Sequence, residues 1–223
     1  MVSDRCCGAE NINIPNIAPN GVFLMQILSG SSCEISLPEN ALVVLVGITG
    51  AGKSTFADMH FKDTQVLSSD HMRDMVSDSE NDMEASSDAF HVLYTIARMR
   101  LSRGLLTVID ATNTLDFARS DLLKIAAEYD APAVALVLNV PYETCLERTF
   151  LRTDRPFGEE VVRMHSGEFQ DAMKSIDQEG FDRVFVLDGV RAVKNAAIII
   201  EKSPALVHEE TFITTESRQK AIG

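Results

Sequence analysis

With 223 residues, 45% hydrophobic and 24% charged, the chain is long enough to bury a full core in one α/β domain with extra material at its ends. A net charge of −13 excludes an all-over electrostatic grip on nucleic acid, so any polyanion must be met by a local cluster of Arg and Lys. No apolar run approaches a membrane span, the N-terminus lacks a basic-then-apolar leader, and Cys6, Cys7, Cys33 and Cys145 show neither a C-x-x-C pair nor a zinc spacing; the expectation is a cytoplasmic protein with reduced thiols and no membrane partner.

Residues 1–38 read as an N-terminal extension without chemistry, in which 22–28 and 33–37 pair as a β-hairpin across Ser29-Gly30-Ser31-Ser32. From Ala41 onward strands are predicted at 42–46, 65–68, 105–109, 133–138 and 183–187. Helices are predicted near 54–61, 71–77, 86–102, 116–129, 142–150 and 159–175. In the third of these, Phe90, Leu93, Ala97 and Leu101 recur at helical spacing and Gly104 is placed to end it. Continuous apolar strands alternating with helices predict a parallel sheet covered on both faces, with ligands bound beyond the carboxyl ends of the strands. The polar stretch from Lys202 to the C-terminus reads as a tail or linker.

The first strand runs straight into Gly47-Ile48-Thr49-Gly50-Ala51-Gly52-Lys53-Ser54, a complete G-x-x-x-x-G-K-[ST] phosphate loop between a strand and a helix. Its glycines let backbone N–H groups close round a polyphosphate. Lys53 can reach the β- and γ-phosphates, Ser54 can ligate Mg²⁺, and the helix that follows offers its positive end to the anion. The loop predicts a bound nucleoside triphosphate.

The ends of the next strands supply candidates. Asp70, after the second, can accept the proton of an attacking hydroxyl, and Arg73, one helical turn on, can bind an acceptor phosphate; an N-capping Asp with a surface Arg would look the same in sequence. Asp110, after the third, is placed as a Mg²⁺-associated carboxylate that acts with Ser54, while Thr112 and Asn113 fit either the site or the turn chemistry of the next helix. Arg148, Arg152 and Arg155 cluster before Pro156 and can close over a triphosphate as a lid, or sit on a solvated face paired with Glu147 and Asp154. Asp177-Gln178-Glu179-Gly180 fits the D-x-x-G of GTP-hydrolysing switches but lies past the lid helix, and no Asn-Lys-x-Asp motif exists, so a GTPase is not expected. His60, His71, His91, His165 and His208 form no ligand spacing and receive no role.

With the phosphate loop, Ser68-Ser69-Asp70-x-x-Arg73, Val108-Ile109-Asp110-Ala111-Thr112-Asn113 and the three arginines in order, the chain closely resembles the 5′-hydroxyl polynucleotide kinase domain of bacterial polynucleotide kinase-phosphatase, an RNA-repair enzyme of the phosphate-loop kinase superfamily. The likeness runs over about residues 35–203 and includes Val76-Ser77-Asp78-Ser79-Glu80-Asn81-Asp82. It departs at Pro156-Phe157, where a polar-then-aliphatic pair is usual, and in its longer lead-in. The resemblance implies a kinase domain over 39–203, followed by a tail at 204–223. It also implies transfer of the ATP γ-phosphate to a 5′-OH of RNA or DNA, with phosphatase and ligase modules supplied by a larger chain or a partner.

By that resemblance Asp70 is the catalytic carboxylate, Arg73 the acceptor-binding arginine and Lys53 the loop lysine. Arg148, Arg152 and Arg155 form the lid over ATP, which also meets Gly47, Thr49, Gly50, Ala51, Gly52, Ser54 and Thr55; Ser54 and Asp110 serve Mg²⁺. Two other functions use the same constellation: a kinase for a small alcohol such as a sugar, nucleoside or antibiotic, and an ATP-dependent binding module that transfers nothing.

Overall fold

Five consecutive buried apolar residues make β3 (Leu42–Val46) the centre of the molecule. A strand apolar on both faces needs cover on both faces. The computed structural model, which describes residues 25–30, 33–152 and 158–202, supplies it with helices on either side of a parallel sheet. β3 pairs with β5 (Thr107–Asp110) on one side and β6 (Ala133–Asn139) on the other; β4 (Val66–Ser68) lies beyond β5, and β7 (Arg183–Asp188) and β1 (Gln26–Leu28) lie beyond β6. All five pairings are parallel. The chain leaves β3 toward β4 and β5, then crosses to β6 and β7, so the order reverses around β3. Its carboxyl end is therefore the crevice where such sheets hold ligands.

The helices follow the predicted pattern: α1 (Lys53–His60), α2 (Ser69–Ser77), α3 (Ser86–Leu101), α4 (Asp116–Glu128), α5 (Tyr142–Leu151) and α6 (Glu159–Ser175). α3 buries Ala89, Leu93, Ala97 and Leu101 at helical spacing. Gly104, at φ +63°, donates its N–H to the Leu101 carbonyl and ends the helix as expected.

The expected N-terminal hairpin does not form. β1 pairs in parallel with β7, Gln26 opposite Phe185, and β2 (Cys33–Pro38) pairs in parallel with β8 (Ala196–Glu201), Cys33 opposite Ala196. β2 is alternately apolar, and its Cys33, Ile35 and Leu37 are buried in the common core. A two-stranded hairpin buries too little to be stable alone, whereas partners from the far end of the chain bury these side chains fully. Residues 26–28 and 33–38 thus supply two strands to the fold instead of lying outside it. Neither α7 (Val190–Asn195) nor β8 is anticipated by the sequence reading.

Candidate nucleotide site

The phosphate loop leaves β3 at its buried carboxyl end. α1 begins at Lys53, with Gly52 as its cap in the left-handed region at φ +94°. The Lys53 ammonium is buried and folded back on the loop, donating to the carbonyls of Gly47 at 3.0 Å and Ile48 at 3.1 Å. Burial pushes Lys53 below the ordinary lysine value, and the charges of Asp110 and Asp70 pull it back. The expected glycines have separate reasons. At Gly50, with φ +84°, a Cβ would stand 2.2 Å from the carbonyl oxygen of Cys145, so the loop packs directly on α5. At Gly47 a Cβ would crowd the Leu138 carbonyl at 3.1 Å. Ser54 and Thr55 are exposed at the start of α1.

Asp110 closes β5 instead of following it, opposite Ser68 of β4, and is buried. Burial pushes its carboxyl above the usual carboxylate range, while the Lys53 ammonium and a hydrogen bond with Ser54 draw it down. The Ser54–Asp110 link sets two hard oxygen donors at the foot of the loop, the donor chemistry Mg²⁺ takes with water completing its shell. Among the described residues there is no cluster of three or more His, Cys, Asp or Glu able to hold a metal by itself.

Asp70 lies in the first turn of α2, whose cap is Ser68, its hydroxyl accepting from the His71 N–H. The helix thus starts two residues earlier than expected, and Asp70 is not its cap. Asp70 pairs with Arg73 across one helical turn. Arg73 is buried, and its Nε donates to the Glu80 carbonyl at 2.9 Å. The Ser77 hydroxyl donates to the Arg73 and Ser79 carbonyls at 2.9 and 3.1 Å, so the 76–82 segment of the resemblance forms the seat of this arginine.

Arg148 reaches the loop from α5, its Nη1 at 3.3 Å from the Gly50 carbonyl and 3.4 Å from that of Ala51. Arg152 closes α5 and its charge bears on Lys53. The structure therefore brings Lys53, Asp70, Arg73, Asp110, Arg148 and Arg152 to one end of the sheet. Arg155 lies outside the described residues.

Thr112 and Asn113, open between site and turn in the sequence, brace the loop, and behind them stand Arg119, Glu168 and His165, which sequence reasoning missed. The Thr112 carbonyl accepts from the Gly47 N–H at 3.0 Å, and Asn113, at φ +47°, donates its amide to the Leu45 carbonyl at 2.8 Å. Arg119 is fully buried, donates to the Asn113 and Thr114 carbonyls at 2.9 and 2.7 Å, and grips Glu179 with two bonds of 2.6 Å. Glu179, at a variable position of the D-x-x-G match, is thus a structural anchor. From α6, Glu168 accepts from the Thr114 hydroxyl at 2.6 Å and His165 Nδ1 meets the Thr49 hydroxyl at 2.9 Å. The three-residue spacing of His165 and Glu168 marks a shared helix face, but nothing in it tells which loop that face meets.

Residues 42–176 match the family model described as AAA domain. The chain belongs to the AAA domain family. Among solved structures, this AAA domain chain is similar to a chain of the Pnkp1/Rnl/Hen1 RNA repair complex, with a TM-score of 0.53 and 22% identity over 66% of this chain and 47% of that one. It thus spans about half the length of that protein. It is also similar to a kinase-like protein from Chloroflexus aurantiacus (15% identity, TM-score 0.47, 66% and 86% covered) and to shikimate kinase from Acinetobacter baumannii (18%, 0.44, 69% and 87%). The likeness to the RNA repair chain shows the fold alone, an α/β domain with a phosphate loop. No curated protein matches the chain. No helix among the described residues is long and apolar enough to cross a membrane.

Proposed function

We propose that this AAA domain protein is an ATP-dependent 5′-hydroxyl polynucleotide kinase that phosphorylates the ends of RNA or DNA, an end-healing step of nucleic-acid repair. The observation that carries the reading is the Asp70–Arg73 pair seated beside Lys53 and the phosphate loop. A phosphate loop alone serves many reactions; a carboxylate held there by a buried arginine suits proton removal from an attacking hydroxyl.

In this reading Lys53 leaves the Gly47 and Ile48 carbonyls for the β- and γ-phosphates of ATP, and the amides of the 47–54 loop, with that of Thr55 after it, enclose them. Asp70 accepts the proton of the 5′-OH as its oxygen bonds to the γ-phosphorus and the bond to the β–γ bridging oxygen breaks, releasing ADP. Arg73 has five N–H donors, and its contacts with Asp70 and Glu80 leave some for the phosphate that follows the terminal nucleoside. Arg148 and Arg152, with Arg155 beyond the described residues, spread positive charge over the transferring group. Ser54 and Asp110 would hold Mg²⁺, which when bound neutralises phosphate oxygens. Phosphatase and ligase modules are the expected partners of such a kinase.

The net charge of −13 favours a second reading, a kinase for a small alcohol, because an acidic surface repels polynucleotides. Incubation with γ-labelled ATP, Mg²⁺ and a short 5′-OH RNA or DNA, with the 5′-phosphorylated strand as control, separates the two. Label on the 5′-OH strand alone is expected. Bound ATP with no labelled strand would reject the polynucleotide reading.

A further inference from the structure

His165 enters no part of the reaction above, yet its imidazole is joined to the middle of the phosphate loop. Its Nδ1 lies 2.9 Å from the Thr49 hydroxyl, a contact between residues 116 apart in sequence. One turn along α6, Glu168 accepts from Thr114 at 2.6 Å, so the helix face is held to both loops that frame the site. Burial keeps the imidazole below its ordinary value, with Glu168 opposing and the Lys53 ammonium adding to the effect, so a neutral ring meets Thr49. A neutral ring has one donor and one acceptor nitrogen, and either tautomer can bond a hydroxyl.

The loop has a problem that this contact addresses. Lys53 ties down the carbonyls of Gly47 and Ile48, the two residues before Thr49. A lysine that turns to a polyphosphate gives up both bonds, leaving that stretch of loop with fewer restraints at the moment its amides must stay aimed. The Thr49 side chain points away to a helix that does not depend on Lys53.

We propose that His165 is a positioning residue of the phosphate loop, holding Thr49 through its hydroxyl so that residues 47–49 keep their binding geometry when Lys53 moves to the nucleotide. The inference rests on the nucleotide-binding reading of the loop. It concerns affinity for the polyphosphate, whatever the acceptor proves to be.

The test is calorimetric titration of ATP into the full chain and into His165→Ala, Thr49→Val, the double variant and His165→Asn. A net hydrogen bond of ordinary worth converts to an affinity loss of about fivefold. We expect that loss in each single variant, no further loss in the double, and recovery in His165→Asn, whose carboxamide can still bond the Thr49 hydroxyl. Steady-state assays on any accepted substrate should show KM for ATP rising with kcat little changed. Single variants binding within twofold of the parent, or losses that add in the double variant, overturn the role of His165 while leaving the loop a nucleotide site. A parent chain that binds no ATP, ADP or pyrophosphate overturns the nucleotide reading itself, and this inference with it.

Discussion

Asp70 shows how much one residue's environment decides. In sequence it is one of 33 acidic residues; in the fold it sits in the first turn of α2, paired with an arginine that is itself buried and bound to the Glu80 carbonyl. Asp70→Ala is expected to lower phosphoryl transfer at least about a hundredfold, the range for a positioned proton acceptor, with ATP affinity and the far-UV spectrum retained. Near-normal transfer in single-turnover assays would remove Asp70 from the chemistry. The sequence shows the Asp-x-x-Arg spacing and the loop nearby. It does not show that Arg73 is buried, because that depends on the 77–80 turn folding over it.

At the scale of elements, the phosphate loop and α5 behave as one piece. Gly50 has a positive φ and no room for a Cβ against Cys145, and Arg148 of α5 holds the Gly50 and Ala51 carbonyls. Gly50→Ala is therefore expected to destabilise the fold by about 2 kcal/mol or more through overpacking and backbone strain, and to weaken ATP binding because α5 must shift. Gly167→Ala is the control. It lies exposed within α6, with no atom within 4 Å of the added Cβ, and should gain about 0.5–1 kcal/mol from helix propensity. Urea denaturation of both variants checks the pair; equal effects would show that the contact with α5 is unimportant. The glycine pattern was legible in the sequence as a phosphate cradle. That Gly50 also serves helix packing was not, since α5 lies about a hundred residues downstream.

Across the whole molecule, buried thiols give stability a dependence on alkaline pH. Cys145 is fully buried, and desolvation pushes its thiol from 9.0 up to about 11; burial pushes Cys33 upward as well. The folded chain keeps a proton that the unfolded chain releases, so this contribution is intact below pH 9 and is lost as pH rises toward 11. Cys145 alone should account for on the order of 2 kcal/mol of that loss. Cys145→Ala should show a correspondingly shallower fall in unfolding free energy between pH 8 and pH 10.5, keeping only the part due to Cys33. An unchanged pH slope would mean that the thiol is not desolvated. Both cysteines should also resist alkylation in the native state, in keeping with the reduced thiols expected from the spacing.

What the sequence determined by itself is local: the phosphate loop with its glycines, Lys53 and Ser54, and the alternation of strand and helix from Ala41 to Asp188. Such features are written in periodicity and spacing within a few residues. Tertiary structure alone decided that β1 and β2 take β7 and β8 as partners, that Arg119 binds Glu179, and that the His165 face of α6 meets Thr49. Each of these joins residues far apart in the chain. Their pairing is settled by which distant surface buries the apolar side chains most completely while satisfying the polar groups, a competition no local pattern records.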